Sequence, residues 1–161
     1  MIGNDIVDLE LARKESNWKR KGFLDKIFTR HEQVLIHNSS NPELMVWNLW
    51  SRKEATYKIY NRCTGIKGYF PRKLQCYYEN QSLGKVQIDD FVFYTQTEIT
   101  TDYVYTIAVS DIFLFDKIKL LETSDNIKKT NGIPCIIDID SNIIQPVSIT
   151  HHGRFQKAIS I

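Results

Sequence analysis

Residues 42–60, PELMVWNLWSRKEATYKIY, set the architecture of this chain because they contain no glycine and a single proline, at the first position. Proline suits the first turn of a helix, where its missing N–H has no partner within the helix. Apolar residues recur at helical spacing: Met45, Val46, Leu49, Trp50, Ala55 and Ile59. The stretch therefore predicts the longest helix of the chain, with one buried apolar stripe.

The residues before this helix predict one strand and further helical segments. Residues 2–9 alternate loosely and predict a short buried strand, whose Asp5 and Asp8 need partners, followed by a helical stretch. Residues 23–28 place Phe and Ile at helical spacing. Thr29 is followed three residues later by Glu32, which is a capping-box pattern and predicts that another helix begins there.

The residues after the long helix read mainly as strands. Seven segments are predicted: 74–79, 86–88, 91–97, 103–109, 135–139, 143–150 and 155–161. Asn131-Gly132 and the Asp140-Ser141-Asn142 triplet predict turns. Residues 111–130 fit both a helix and a strand. Early helices followed by late strands indicate an α+β fold, with a largely antiparallel sheet packed against helices that include one long helix.

Length and composition indicate one globular domain, residues 1–161, with a normal core. No apolar run approaches the roughly 18 residues of a membrane span, and charge appears at Asp5 where a signal peptide would need apolar residues. The three cysteines, Cys63, Cys76 and Cys135, are widely spaced and form no C-x-x-C, which favours reduced structural thiols over zinc or disulfides. We expect a cytoplasmic protein without a membrane partner.

Charge is distributed unevenly along the chain. Residues 13–30 contain seven basic residues and two acids, whereas residues 79–140 contain eleven acids and five lysines. A basic segment raises the local potential and speeds encounter with an acidic partner, which could be a nucleic acid, an anionic membrane or an acidic protein. The competing interpretation is a solvated helix face that serves solubility.

The middle of the long helix offers an acid and a base that could form half of a site. Glu54 and Lys58 are four residues apart, so they share a helix face, and a simple i,i+4 ion pair would explain them. A catalytic interpretation needs a second carboxylate. Asp5 is the best candidate, because a buried acid without a partner is costly. Two carboxylates from separate elements, completed by waters and substrate phosphates, are a common way to hold magnesium.

The C-terminal segment VSITHHGRF, residues 147–155, supplies groups that bind phosphate. Ser148, Thr150, His151, His152 and Arg154 carry hydroxyl, imidazole and guanidinium groups where a strand gives way to a turn. Exposed histidines without a function are the simpler explanation for this pair. No further Cys or His residues at metal-ligand spacing indicate a metal site there.

Three blocks in this order, GND (3–5), WSRKEATYK (50–58) and PVSITHHGRF (146–155), resemble the 4′-phosphopantetheinyl transferase superfamily. The family pattern is a G-x-D strand, a W/F-x-x-K-E-A-x-x-K helix and an S-x-[ST]-H strand. The chain order is similar to that of the short bacterial holo-acyl-carrier-protein synthases. FLDKIFTRHE (23–32) and NGIPCI (131–136) are similar to two further segments of that family.

The resemblance implies magnesium-dependent transfer of the phosphopantetheine arm of coenzyme A to a serine hydroxyl of an acyl or peptidyl carrier protein, with release of adenosine 3′,5′-bisphosphate. By position, Asp5 and Glu54 match the metal-binding acids, and Glu54 also matches the group that activates the serine. Lys58 matches the lysine on the transferring phosphate, and Lys53 matches a second phosphate contact. His151 matches the histidine on the 3′-phosphate of coenzyme A, flanked by Ser148 and Thr150.

The resemblance also gives the basic segment a meaning, because carrier proteins are acidic. The residues predicted to attract the carrier are Arg13, Lys14, Lys19, Arg20 and Lys21. Two other classes stay open: a non-catalytic relative that binds coenzyme A or a carrier, and a nucleic-acid binder. A non-catalytic relative is disfavoured because the chain retains Asp5, Glu54 and Lys58. A nucleic-acid binder is disfavoured because the sequence has no signature of a nucleic-acid-binding fold.

Two departures from the family pattern affect these expectations. Longer transferases place a second acid two residues after the strand aspartate; here that residue is Val7, so we expect a water in that coordination place. The short synthases form trimers, which implies a homotrimer here. They lack much of residues 78–130, however, and QTEITTDYVYTIAVSD (96–111) resembles the closing strand of the longer type. Added strands could cover or rebuild the trimer interface.

Overall fold

The structure is a computed structural model that describes residues 1–122, 127–130, 133–137 and 144–161. The two predicted turns, at 131–132 and 140–142, lie outside the described residues. The helices are α1 (Leu9–Glu15), α2 (Phe23–Ile27), α3 (Arg30–Asn38), α4 (Pro42–Thr64) and the 3₁₀ helix η1 (Ile112–Lys117). The strands are β1 (Ile2–Asp8), β2 (Gln75–Tyr78), β3 (Leu83–Ile88), β4 (Phe91–Ile99), β5 (Tyr103–Val109), β6 (Lys119–Leu121), β7 (Ile127–Thr130), β8 (Ile133–Ile137), β9 (Ile144–His152) and β10 (Phe155–Ser160).

The described strands form two antiparallel sheets of five strands each. The first has the order β1-β5-β4-β3-β2, and the second has the order β6-β10-β9-β8-β7. Helix α4 lies across the first sheet and contacts β1 and β5 most extensively. The α+β fold and the antiparallel pairing are as predicted. Within the described residues, no helix combines the length and the hydropathy needed to cross a bilayer.

Helix α4 is longer than predicted and is buried on more than one stripe. It begins after Asn41, whose side chain accepts a hydrogen bond from the N–H of Leu44, and it ends at Gly65, which adopts a left-handed φ of 70°. The prediction stopped near residue 60 because the apolar pattern ends there, although only Gly65 provides the αL cap that stops the helix. Polar residues are buried along with the apolar stripe: Asn48, Ser51, Arg52, Lys53 and Thr56. The long helix is confirmed, but the single apolar stripe is not.

Most of the smaller elements follow the predictions, although the bounds of several strands differ by one to three residues. Thr29 and Glu32 form the predicted capping box at the start of α3. Strand β5 has the predicted bounds, whereas β3 begins at Leu83, three residues before the predicted start. The ambiguous residues 111–130 contain both a 3₁₀ helix and short strands, because Leu114 and Phe115 of η1 pack against a small core of Ile2, Val109 and Ile159.

The two sheets meet where β1 runs beside β9. The backbone N–H groups of residues 4, 6 and 8 donate to side-chain atoms of residues 148, 150 and 152, so the two strands run in the same direction. Side chains of β9 therefore take the place of a backbone ladder along this edge of β1. Arg62 of α4 adds a second link, because its guanidinium donates to the carbonyl oxygens of Ile2 and Val147.

Candidate functional site

A cavity of about 310 Å³ opens where β1, α4 and the end of β9 come together. It lies beside the junction of the two sheets. Its walls are formed by Asp5, Ile6, Val7, Ala12, Ser16, Phe23, Trp47, Trp50, Glu54, His151 and His152. The volume falls in the range of small-molecule sites, and the mixture of apolar walls and a few polar groups is typical of them.

Asp5 is the partly exposed residue of an otherwise buried strand. Its side chain is 13% exposed, and Oδ1 lies 3.8 Å from Lys58 Nζ and 3.3 Å from the hydroxyl of Thr150, which donates to it. Burial raises the pKa of Asp5 to about 7, against the attraction of Lys58 and with the repulsion of Glu54. In this structure the surroundings of the Asp5 carboxylate therefore contain too little positive charge to favour its ionised form.

Glu54 faces the same cavity from α4. Burial raises the pKa of Glu54, while the neighbouring Tyr69 hydroxyl and Lys58 act in the opposite direction. Two acids from separate elements thus border one cavity, and each is costly to ionise there. A divalent cation placed between them would reverse both costs.

Lys58 lies between the two strands that meet at the junction. Its ammonium group donates to the carbonyl oxygens of Asn4, at 2.6 Å, and Ile149, at 3.2 Å. Burial lowers the pKa of Lys58, and the nearby Asp5 and Glu54 act against that effect. Lys58 therefore turns toward β1 and β9, close to Asp5, with 26% of its side chain exposed.

The two histidines border the cavity in different ways. His151 is exposed, whereas the Nδ1 atom of His152 accepts a hydrogen bond of 2.9 Å from the N–H of Asp8. That bond fixes the ring of His152 against β1. The family resemblance assigned a role to His151 alone. Only the structure shows that the ring of His152 also lines the cavity.

The structure does not support the coenzyme contacts predicted for Ser148 and Thr150. Both residues are buried, at 0% and 5% exposed. Their hydroxyl groups accept hydrogen bonds from the N–H groups of Asn4 and Ile6 on β1. The side chains of Ser148, Thr150 and His152 point toward β1, so the two hydroxyls join the sheets.

The phosphate contact predicted for Lys53 is also not supported. Lys53 is fully buried, and its ammonium group pairs with Glu32 at 2.8 Å and donates to the carbonyl oxygens of Pro71 and Leu74. An ammonium group has three N–H donors, so this network occupies all of them. One residue of an α-helix is rotated about 100° from the next, which turns Lys53 into the core while Glu54 faces the cavity.

Asp8 and Arg154 form a second ion pair beside the site. Asp8 accepts from the backbone N–H of Arg154 and from two of its guanidinium nitrogens, each guanidinium contact at 2.9 Å. Asp8 also caps α1. These hydrogen bonds hold the pKa of Asp8 well below its usual range. Arg154 therefore holds the turn after His152 against the start of α1.

The five predicted carrier-binding residues divide into two groups. Arg13 pairs with Glu43, and Lys14 pairs with Glu10, both at the surface. Lys19, Arg20 and Lys21 line a separate groove of about 480 Å³ next to the cavity wall. All five side chains are exposed, as a docking surface requires.

The oxygen ligands that the cavity offers suit magnesium, which does not need protein groups for all of its ligands. Among the residues that the structure describes, no group of three or more His, Cys, Asp and Glu side chains is arranged to hold a metal ion. Magnesium, however, is commonly bound through one or two carboxylates, with waters and substrate phosphates as the other ligands. Asp5 and Glu54 could supply those two carboxylates.

Tyr69 is a neighbour of the site that the sequence did not reveal. It follows the glycine-containing stretch after α4, and its ring packs edge to face against Trp50 and Tyr57. Burial and the adjacent Glu54 carboxylate raise the pKa of the Tyr69 hydroxyl. An aromatic residue in an irregular segment carries no periodic signal, so the sequence pattern could not place it.

A family model for the 4′-phosphopantetheinyl transferase superfamily matches residues 1–108. Because the match covers more than half of the chain, the chain belongs to that superfamily. The matched part includes β1 and α4, and hence Asp5, Glu54 and Lys58.

Among curated proteins, the chain is 39% identical over 59 residues to a holo-[acyl-carrier-protein] synthase of Protochlamydia amoebophila, a match to 35% of this chain and 47% of that protein. A holo-[acyl-carrier-protein] synthase of Caldanaerobacter subterraneus is 34% identical over 68 residues, 42% of this chain and 51% of that protein. The chain thus spans about half the length of the curated relatives it matches.

Solved structures show the same fold. A holo-[acyl-carrier-protein] synthase of Neisseria meningitidis has a TM-score of 0.52 at 20% identity, over 66% of this chain and 94% of that one. The Helicobacter pylori synthase, solved in complex with coenzyme A, has a TM-score of 0.53 at 16% identity, over 68% of this chain and 98% of that one. At these identities the likeness concerns the fold alone.

Proposed function

We propose that this chain is a 4′-phosphopantetheinyl transferase of the holo-acyl-carrier-protein synthase type, formed by residues 1–161 as a single domain. It transfers the 4′-phosphopantetheine group of coenzyme A to a serine hydroxyl of an acidic apo acyl or peptidyl carrier protein, depends on Mg²⁺ and releases adenosine 3′,5′-bisphosphate. The proposed location is the cytoplasm. The observation that carries the proposal is that Asp5 and Glu54, from separate elements, line one cavity.

The proposed reaction breaks a diphosphate bond, so negative charge must be neutralised on two phosphates and the serine hydroxyl must be held in line. Bound Mg²⁺ supplies charge neutralisation on the diphosphate. Asp5 and Glu54 would hold the cation, and Glu54 would take the serine proton, directly or through a water.

Lys58 and His151 would bind the substrate. Lys58 lies beside Asp5, where the transferring phosphate must come, and exchanges a main-chain carbonyl for a phosphate oxygen. His151 lies at the rim of the cavity with its ring exposed, and it contacts the 3′-phosphate of coenzyme A in this proposal. Val7 lines the cavity with an apolar side chain that cannot bind a cation, so a water would be needed in that place.

Coenzyme A and a carrier protein are the proposed partners, without nucleic acid or membrane. The Helicobacter pylori relative was solved with coenzyme A, which supports this co-substrate. The groove lined by Lys19, Arg20 and Lys21 lies next to the cavity and would attract the acidic carrier. A homotrimer is also proposed by analogy with the short synthases. Light scattering tests it against the mass of one chain, 18.9 kDa.

Mass spectrometry of apo carrier proteins tests the proposal directly. Incubation with the chain, coenzyme A and Mg²⁺ should add the mass of one phosphopantetheine group to a carrier serine. Asp5→Asn and Glu54→Gln should abolish the addition while circular dichroism shows an intact fold. Binding of coenzyme A or carrier without any mass addition would instead identify a non-catalytic relative, and near-normal turnover by either variant would refute the assignment of the acids.

A further inference from the structure

The hydroxyl group of Thr150 contacts β1 at two points. Its Oγ1 atom accepts a hydrogen bond of 3.1 Å from the N–H of Ile6 and donates one of 3.3 Å to Oδ1 of Asp5. The residue is 5% exposed, so the hydroxyl has little access to solvent or ligand. The group therefore links the junction of the two sheets to one acid of the cavity.

Ser148 provides a natural comparison within the same strand. Its Oγ atom accepts a hydrogen bond of 3.0 Å from the N–H of Asn4, which is the same role at the junction. Asn4 does not line the cavity, and its side chain points to Tyr105 and the carbonyl of Lys157. The two hydroxyls thus share a structural role, and only that of Thr150 also touches Asp5.

We propose that Thr150 is a positioning residue that orients the Asp5 carboxylate for a divalent cation. This inference rests on the proposed function, because it assumes that Asp5 holds Mg²⁺. Thr150 and Lys58 both lie at Oδ1, which would leave Oδ2 available to a cation. A carboxylate held by an outer partner loses less rotational freedom when it binds a metal.

Binding of Mn²⁺ tests this role without any dependence on catalysis. Mn²⁺ accepts the same oxygen ligands as Mg²⁺, and its free concentration is measured by electron paramagnetic resonance. Thr150→Val removes the donor to Asp5 and should weaken Mn²⁺ binding about 10-fold, which is the lower end of the effect of losing an outer partner. Thr150→Ser keeps the hydroxyl and should stay within about twofold of wild type.

Ser148→Ala is the matched control. It leaves one N–H of β1 without an acceptor, as Thr150→Val does, so the two variants should lose similar thermal stability. Only Thr150→Val should lose Mn²⁺ affinity. Equal losses of affinity in both variants would overturn the proposal, because they would show that the junction as a whole matters and not the contact with Asp5.

Three further results of these experiments have different consequences. If Thr150→Val does not fold, Thr150→Cys, whose thiol is a weak donor and acceptor, takes its place in the same comparison. If wild type transfers phosphopantetheine but Thr150→Val binds Mn²⁺ as tightly as wild type, the positioning role is wrong while the proposed function stands. If wild type neither binds Mn²⁺ nor modifies a carrier, both are wrong.

Discussion

The ammonium nitrogen of Lys58 lies 2.6 Å from the carbonyl oxygen of Asn4 and 3.8 Å from Oδ1 of Asp5. One side chain of α4 thus holds the backbone of β1 and stands beside the acid that β1 contributes to the cavity. Arg62, one helical turn further on, holds the same strand through the carbonyl of Ile2. Neither side chain is part of the cavity wall, and of the two only Lys58 lies beside an acid of the cavity. The two cations differ in their relation to the site and share a structural role.

Substitution of these two cations separates the two roles. Lys58→Met and Arg62→Met should each lower the free energy of unfolding by about 1–3 kcal/mol, because each leaves main-chain carbonyls without a charged donor. Only Lys58→Met should also lower kcat/KM, by about 100-fold or more, since only Lys58 lies beside Asp5, where we propose that the reacting phosphate binds. Denaturant unfolding and carrier-modification kinetics measure the two effects. Equal activity of the two variants would refute a phosphate role for Lys58.

The buried pair of Lys53 and Glu32 predicts a large effect on stability. Lys53→Met leaves the Glu32 carboxylate buried without its cation and should cost about 3–5 kcal/mol. The double variant Lys53→Met with Glu32→Gln removes both charges and keeps one side-chain oxygen as an acceptor for the N–H group of Thr29 or Cys76, so it should recover part of that loss. Urea unfolding of the three proteins makes the comparison. A single variant as stable as wild type would mean that the ion pair is not formed in solution.

The ion pair of Asp8 and Arg154 predicts a dependence of stability on pH. The pKa of Asp8 in the folded chain lies below its value in the unfolded chain, so the pair stabilises the fold fully above about pH 4 and loses this effect as pH falls through the folded pKa. Arg154→Met should therefore lower the melting temperature at pH 7. The difference from wild type should shrink steadily below about pH 4. A difference that is constant down to pH 2 would contradict the pairing.

The groove beside the cavity predicts a selective effect on the carrier. Reversal of Lys19, Arg20 and Lys21 to glutamate should raise the carrier KM about 10-fold at low salt and leave the KM for coenzyme A nearly unchanged. Reversal of Lys26 and Arg30, which belong to the same basic segment but line a different groove, is the control. Steady-state kinetics at two salt concentrations would show the effect. Equal changes for both substrates would count against electrostatic steering.

Thiol labelling checks the environment of the cysteines. Cys63 is exposed, whereas Cys76 is buried and burial raises its pKa to about 12. Only the thiolate reacts readily, so Cys63 should be alkylated at pH 8 well before Cys76. Peptide mapping after timed exposure to iodoacetamide measures the order. Early modification of Cys76 would show that the core around β2 opens.

Local patterns in the sequence were sufficient for the elements that depend on neighbours in the chain. The long helix, the capping box of Thr29 and Glu32, and the bounds of β5 follow from spacing within a few residues. The bounds of α4 differed at its end because the cap at Gly65 lies beyond the apolar pattern. The apolar residues of 111–130 fitted both helical and strand spacing because this segment contains both a 3₁₀ helix and strands.

The sequence could name a residue of the candidate site where a family motif contains it. It could not show contacts between residues that are far apart along the chain. Asp5, Glu54 and His151 line one cavity, which spacing along the chain could not have shown without the family pattern. The burial of Lys53 could not be predicted, because its partner, Glu32, lies on another helix. The contacts of Ser148 and Thr150 with β1 could not be predicted, because strand alternation shows that the two residues share a face but does not show which element that face meets.

The central claim is that Asp5 and Glu54 share one divalent cation. Diffraction from crystals soaked in Mn²⁺ and coenzyme A, recorded for its anomalous signal, locates such a cation directly. One anomalous peak about 2.1–2.3 Å from an oxygen of each carboxylate is the predicted result. A peak bound elsewhere, with the two carboxylates left uncoordinated, would contradict the account.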